Sequence, residues 1–302
     1  MVKFVTVIIP TIGRPEYLRA SVESVLNQSY CNIELLISDN VPDISSKSLL
    51  SDVVDARIRI IERDQRYGFC EHMNMCIADS LGYYMMILSD DDVISPDYVS
   101  SMVELFESRD DVTVGLGRQN VLEESECRVL SEQVDKTNTY IDGFEYSVLA
   151  LQGKLGASVL TYISLFAKKE DVIYAGGFRN YPDGSHSDNY LFYSLAAKGV
   201  VGLSGASMGY RVYLSSSGLS TPFEKLLSAT VKYDNDISTM VFGLKGRSFF
   251  SKIYVRYLFK ISSVRMLINR SFSVYKKRDS SFLLFKYLIM SVFFAMSFIR
   301  RD

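Results

Sequence analysis

Three consecutive aspartates, Asp90, Asp91 and Asp92, follow the apolar run YMMIL (84–88) with only Ser89 between. Like charges packed this closely repel one another, so a fold keeps them where water, a cation or a positively charged ligand neutralises them. Carboxylates are the ligands that hard divalent cations take, so the run reads either as a metal site or as a solvated acidic turn. A second titratable cluster lies in PDGSHSDNYLFYSLAAKG (182–199), where Asp183, His186 and Asp188 precede a helical pattern with Leu191, Leu195 and Ala196 on one face. An aspartate at such a helix start is either an N-cap or a group placed to take a proton from a bound hydroxyl.

Elements able to position these groups are legible upstream. FVTVII (4–9), IELLIS (33–38), IRII (58–61) and YMMIL (84–88) are continuous apolar runs of strand length, as expected of parallel strands buried on both faces. Between them, Pro15 suits a first helical turn ahead of Leu18, Val22, Val25 and Leu26, and Met73, Cys76 and Ile77 repeat the helical spacing after Gly68. The order β-α-β-α-β-α-β predicts a doubly wound α/β domain with its ligand at the carboxyl ends of the strands. Those ends are Pro10 and Thr11, Asp39 and Asn40, Arg63 to Gly68, and Ser89 to Asp92.

The chain has 302 residues, and its 48% hydrophobic content supports a sizeable core and excludes a disordered protein. Cys31, Cys70, Cys76 and Cys127 show neither C-x-x-C pairing nor a His at zinc-finger spacing, which implies free thiols in a reducing compartment. The opening MVKFVTVIIPT reads as a first strand, not a signal peptide, so a cytoplasmic start is expected. A net charge of −2 hides an asymmetry: residues 245–302 hold 13 Lys and Arg against two acids, so the tail is basic and the body acidic. The apolar content of that tail favours an anionic membrane over nucleic acid as its partner.

Four segments together carry a resemblance. TVIIPTIGRPEYLRASVESVLNQSY, IELLISDN, RYGFCEHMNMCIADSLGYYMMILSDDDVISP and GGFRN with SDNYLFYSLAAKG resemble the family 2 inverting GT-A glycosyltransferases, in order and spacing, over roughly two thirds of the chain from about Val5 to Gly199. The resemblance implies a GT-A fold, with a Rossmann-like nucleotide-binding half (1–100) and an acceptor-binding half (101–220); residues 221–302 form a separate, helical C-terminal region by their own pattern. It implies transfer of a sugar from a nucleotide-sugar donor, a UDP-sugar first and a GDP-sugar second, to an acceptor hydroxyl. Among site residues it implies donor contacts at Pro10, Thr11, Arg14, Asp39, Asn40, Arg66, Gly68, Asn74, Ser89, Asp90 and Asp91. Asp91 is the implied ligand of Mn2+ or Mg2+, with His186 as a further member of the metal shell or a loop histidine in solvent. Ser89 stands where the family has an Asp, and Asp92 has a plain reading as a turn residue. Asp188 falls on the family's catalytic base, with Asp183 as second choice, and GYRVYLSSSGLS resembles the family's Tyr-Arg segment near the acceptor site, which implies a place for Arg211 near the diphosphate.

The tail has its own pattern. Tyr254, Tyr257, Leu258, Ile261, Val264 and Ile268 make an apolar stripe, and Lys252, Arg256 and Lys260 recur beside it, as in a basic amphipathic helix lying on an anionic bilayer. Residues 281–299 have spanning length, but Lys286 interrupts them and basic clusters at Lys276 to Arg278 and at Arg300 and Arg301 flank them, so an in-plane helix is expected instead of a span. The whole reads as a peripheral enzyme at the cytoplasmic face of the inner membrane, extending a polyprenyl-diphosphate-linked glycan in bacterial surface polysaccharide (O-antigen) synthesis. The aromatic tail could equally serve a homodimer. Alternatives are a nucleotidyltransferase, for which PTIGRP offers only one phosphate-loop glycine, and a non-catalytic membrane adaptor.

Overall fold

The computed structural model describes residues 2–12, 15–41, 45–122, 137–155, 165–211, 221–278 and 281–296. Strands β1 (Val5–Thr11), β2 (Ile33–Asp39), β3 (Ile58–Glu62) and β4 (Tyr84–Ile87) fall on the four apolar runs. β1, β2 and β4 are buried almost throughout, whereas β3 forms the edge and is half-buried. The helices between them are α1 (Pro15–Leu26), the single turn α2 (Ser46–Leu49) and α3 (Phe69–Asp79). Leu18, Val22 and Val25 bury one face of α1, and Met73, Cys76 and Ile77 bury one face of α3, the stripes that helical spacing predicts.

β1 pairs in parallel with β2 and β4, and β2 with β3. Beyond β4 the sheet becomes mixed. The remaining elements are β5 (Val93–Ile94), α4 (Tyr98–Ser108), β6 (Val112–Leu122), β7 (Thr139–Asp142), α5 (Gly143–Leu151), β8 (Phe166–Lys168), α6 (Lys169–Tyr174), α7 (Ser187–Ala196) and β9 (Val200–Arg211). β8 runs antiparallel to β4, with Met85 opposite Ala167, so the sheet continues across residue 100 without a break. Its order among the described residues is β3-β2-β1-β4-β8-β6-β9-β5, with β7 on β9. One face is covered by α1 and α4, the other by α3, α5 and α7.

The C-terminal helices α8 (Phe223–Gly243), α9 (Phe249–Arg278) and α10 (Ser281–Met296) fold against this body. Ala229, Tyr233, Ile237 and Val241 of α8, with Val255 and Phe259 of α9, share the core that holds α3 and α7, and α10 packs through Tyr287 stacked on Phe223. Two of the three cations of the basic stripe expected at a bilayer surface are turned inward, Arg256 at 8% and Lys260 at 4% exposure, while Lys252 stays half-buried. The cause is Asp234, buried on α8, which takes both Arg256 guanidinium nitrogens at 2.7 Å and Lys260 Nζ at 3.2 Å. Outward instead are Phe250, Ile253, Tyr254 and Tyr257. Among the described residues no helix is long and apolar enough to cross a membrane. The flanking cations expected at Arg300 and Arg301 lie outside the described residues, as do the side chains of Lys276 to Arg278.

Candidate active site

The register of the parallel strands brings their carboxyl ends together. Thr11 lies beside Asp39, Asp39 beside Glu62, and the Leu88 N–H donates to the Ile8 carbonyl at 2.8 Å, carrying the ladder one residue past β4. Across this edge the buried Thr11 hydroxyl donates to Asp90 Oδ2 at 2.6 Å. The Ser89 hydroxyl donates to Asp91 Oδ1, and the Asp92 N–H closes a turn on the Ser89 carbonyl at 3.1 Å. Asp90, Asp91 and Asp92 are all buried. A solvated acidic turn is therefore excluded: the chain does turn at Asp92, but beneath the surface, with the Thr11 hydroxyl compensating Asp90 and the Ser89 hydroxyl compensating Asp91.

Asp39 and Asn40 bind the neighbouring loops to the same edge. Asp39 Oδ1 accepts from the Val41 N–H at 3.0 Å in an Asx turn, and Oδ2 accepts from the Ser46 N–H and hydroxyl at 2.8 Å each, fixing the start of α2. Asn40 acts as a detached piece of strand. Its amide nitrogen donates to the Tyr67 carbonyl at 3.0 Å, its oxygen accepts from the Tyr67 N–H at 2.9 Å, and its own N–H donates to the Thr11 carbonyl. The segment Arg63 to Gly68 is thereby held at the strand ends, with Arg66 exposed on it and Gly68 as N-cap of α3, and Pro10 of β1 is half-buried. Asn74 is occupied elsewhere: it donates to the Phe178 carbonyl at 2.9 Å and accepts from the Phe178 N–H at 2.8 Å, tying α3 to the segment that leads to α7. Arg14 lies outside the described residues, as does the side chain of Arg211.

Asp188 is the second residue of α7, and the N-cap is His186, so the capping role open to Asp188 in the sequence falls away. Oδ1 of Asp188 accepts from the Asn189 N–H at 2.8 Å, and burial pushes the carboxyl above its ordinary range. A carboxylate raised in this way is a better proton acceptor. Next to it, Ser187 donates to the Arg179 carbonyl at 2.6 Å and meets Cys70 Sγ at 3.1 Å, and so locks the start of α7 onto the first turn of α3. Asp188 thus stands over the end of α3 that follows the strand-end loop. Cys70 and Ser187 escape sequence reasoning because they meet only across the fold.

His186 is not a histidine in solvent. It is buried, with Nε2 3.0 Å from the Thr230 hydroxyl and its ring stacked on Tyr233 at 4.5 Å, and burial lowers its pKa to about 4. Asp183 sits nearer the surface, paired with Lys225 at 3.1 Å. Among the described residues no group of three or more His, Cys, Asp and Glu gathers as a metal cluster. The donor set at β4 is nonetheless hard oxygen, which suits a cation that takes one or two carboxylates and completes its shell from phosphate and water.

The mixed α/β sheet, with its parallel strand ends converging on buried carboxylates, has the architecture of a GT-A-like fold. Two solved structures share it over nearly the whole chain. Staphylococcus aureus TarS in complex with UDP-GlcNAc matches with a TM-score of 0.59 at 12% identity, covering 98% of this chain and 92% of that one. The mannosyltransferase PcManGT from Pyrobaculum calidifontis, in complex with GDP-Man and Mn2+, matches with a TM-score of 0.57 at 11% identity, covering 99% and 87%. Residues 6–155 match the family model described as glycosyl transferase family 2, and the chain belongs to that family. Relatives include an uncharacterized glycosyltransferase of Haemophilus influenzae, 26% identical over 43% of this chain and 41% of its own length. Glycosyltransferase GlyG of Streptococcus pneumoniae is 26% identical over 38% and 39%. A third is the UDP-Glc:alpha-D-GlcNAc-diphosphoundecaprenol beta-1,3-glucosyltransferase WfgD of Escherichia coli, 27% identical over 30% and 35%. The chain spans about two fifths of the length of the first two relatives.

Proposed function

We propose that the protein is an inverting glycosyltransferase that moves a sugar from a nucleotide-sugar donor to a hydroxyl of a lipid-linked glycan in bacterial surface polysaccharide synthesis. The observation that carries this reading is the set of buried carboxylates at the ends of β2 and β4, with the Thr11 hydroxyl at the end of β1 and the Ser89 hydroxyl hydrogen-bonded to Asp90 and Asp91 respectively, in a family 2 chain. The donor lies along that edge, with its nucleoside toward Pro10, Thr11, Asp39 and Asn40 and its diphosphate toward Arg66 and the Ser89 to Asp91 turn. A divalent cation, Mn2+ or Mg2+, held by Asp91 would supply neutralisation of the charge that builds on the departing diphosphate. Asp188 takes the proton of the acceptor hydroxyl while its oxygen attacks the anomeric carbon opposite the leaving group. The new glycosidic bond forms as the bond to the diphosphate breaks, and the configuration inverts. Burial favours Asp188 for this task by raising its proton affinity.

The acceptor class is supported by the E. coli relative, whose name specifies a diphosphoundecaprenol-linked sugar. A peripheral site at the cytoplasmic face of the membrane follows, because confinement with a membrane-held acceptor raises its effective concentration. The exposed aromatic face of α9 supports contact with such a surface.

Thermal-shift titration with uridine, guanosine, thymidine and cytidine diphosphates, each with and without Mn2+, tests the donor site. One nucleotide is expected to raise the melting temperature in a metal-dependent way, by about 2.7 kcal/mol of stabilisation at 100 times its Kd. Asp91→Asn is expected to abolish the metal-dependent part. No shift with any nucleotide would count against the transferase reading.

A further inference from the structure

Among the described residues two other than glycine have positive φ, Asp183 at 53° and His186 at 69°, and both lie in the short segment leading into Asp188. Left-handed backbone at such residues persists only where the surroundings over-determine it. One helix, α8, supplies most of those surroundings. Lys225 pairs with Asp183 at 3.1 Å, Lys232 donates to the Asn180 carbonyl at 2.9 Å, and Asp236 accepts from the Tyr181 hydroxyl at 2.7 Å. The two lysine contacts are exposed and weigh little.

The contacts to His186 are buried. Thr230 donates its single hydroxyl proton to the Leu226 carbonyl at 2.7 Å, so at 3.0 Å from His186 Nε2 its oxygen acts as acceptor. That assigns the proton of the neutral imidazole to Nε2. The Tyr233 ring covers the imidazole with planes 6° apart, and Tyr181 braces Tyr233 edge-on at 6.1 Å. Since His186 is the N-cap of α7, its dihedral angles set the direction in which the first turn of α7, and Asp188 within it, leaves the loop.

We propose that Thr230 and Tyr233 of α8 are positioning residues that lock the left-handed His186 turn and thereby fix the Asp188 carboxylate in its working orientation. This rests on the reading of Asp188 as the base. The C-terminal helices are then part of the catalytic architecture, since they supply the contacts that set its geometry.

The test uses the full chain with UDP-glucose, UDP-N-acetylglucosamine and GDP-mannose in the presence of Mn2+, following release of the nucleoside diphosphate. Thr230→Val, Tyr233→Leu and His186→Val are expected to lower kcat about tenfold or more while the donor KM stays within about twofold. His186→Asn, which tolerates the left-handed region, should retain more kcat than His186→Val. A merely structural role would lower stability in all variants without this split or this rescue. Thr230→Val is close to isosteric and keeps the test decisive if Tyr233→Leu does not fold. Parental kcat in Thr230→Val and His186→Val, with Asp188→Asn inactive, overturns the inference alone. Parental activity in Asp188→Asn overturns the base assignment and the inference with it.

Discussion

Both histidines are buried beside hydroxyl groups. His72 Nε2 lies 2.8 Å from the Ser38 hydroxyl, which also accepts from Arg63 Nε at 3.0 Å, and His186 lies against Thr230 and Tyr233. Burial lowers both pKa values from 6.5 to about 4, and for His72 the Arg63 charge adds to the effect. In the window from about pH 6.5 to 4 the unfolded chain therefore binds more protons than the native one. The stability these residues contribute is complete above 6.5 and is lost as pH falls through about 4, on the order of 3 kcal/mol for each. Asp188, raised by burial, shifts in the opposite sense and offsets part of the loss. Melting temperatures from pH 7.5 to 4 should fall across this window, and His186→Asn should flatten the fall; a flat profile in the parent chain would refute the linkage. Neither histidine's environment is legible in the sequence, because the covering residues come from β2 and α8.

At the scale of elements, two ties join neighbouring segments. Asn74 of α3 brackets the Phe178 backbone, and Gly177 makes the approach feasible: its φ is 61°, and a Cβ there would lie 2.3 Å from Asn74 Oδ1. Gly177→Ala adds a strained φ to that clash, so a loss of more than about 1 kcal/mol is expected in denaturant unfolding. The second tie is Asp234, which neutralises Arg256 and Lys260 between α8 and α9. Asp234→Ala leaves both cations buried without their carboxylate, so urea unfolding should show a loss of about 3–5 kcal/mol. A loss below about 1 kcal/mol would mean that the pair is compensated by its other neighbours.

Across the whole molecule, one sheet joins the strand ends to the segment that carries Asp188, and the C-terminal helices close over the α7 side. α9 buries Arg256 and Lys260 against α8 and turns Phe250, Tyr254 and Tyr257 outward, at 82%, 46% and 48% exposure. Such a face suits the interfacial zone of a bilayer, where apolar burial adds to any attraction by exposed cations. The double variant Phe250→Ser with Tyr254→Ser should weaken co-sedimentation with anionic phospholipid vesicles by about tenfold or more and leave the fold intact. Unchanged sedimentation would count against the proposed membrane contact through α9.

The sequence by itself determined the parallel strands, the helices α1 and α3, and the strand-end residues Thr11, Asp39, Asn40 and Ser89 to Asp91. These follow from local information: apolar runs of strand length, helical spacing, and the rule that parallel strands offer a site at their carboxyl ends. Its periodicity also located α9, but not which face of α9 points inward. Helical spacing records that two stripes differ without recording what lies opposite each, and only the position of Asp234 on α8 drew Arg256 and Lys260 into the interior. The same holds around Asp188. Ser187 and Cys70 lie 117 residues apart, and His186 and Thr230 lie 44 apart. Contacts at such separations carry no local signature, so the surroundings of Asp188 were decided by tertiary packing alone.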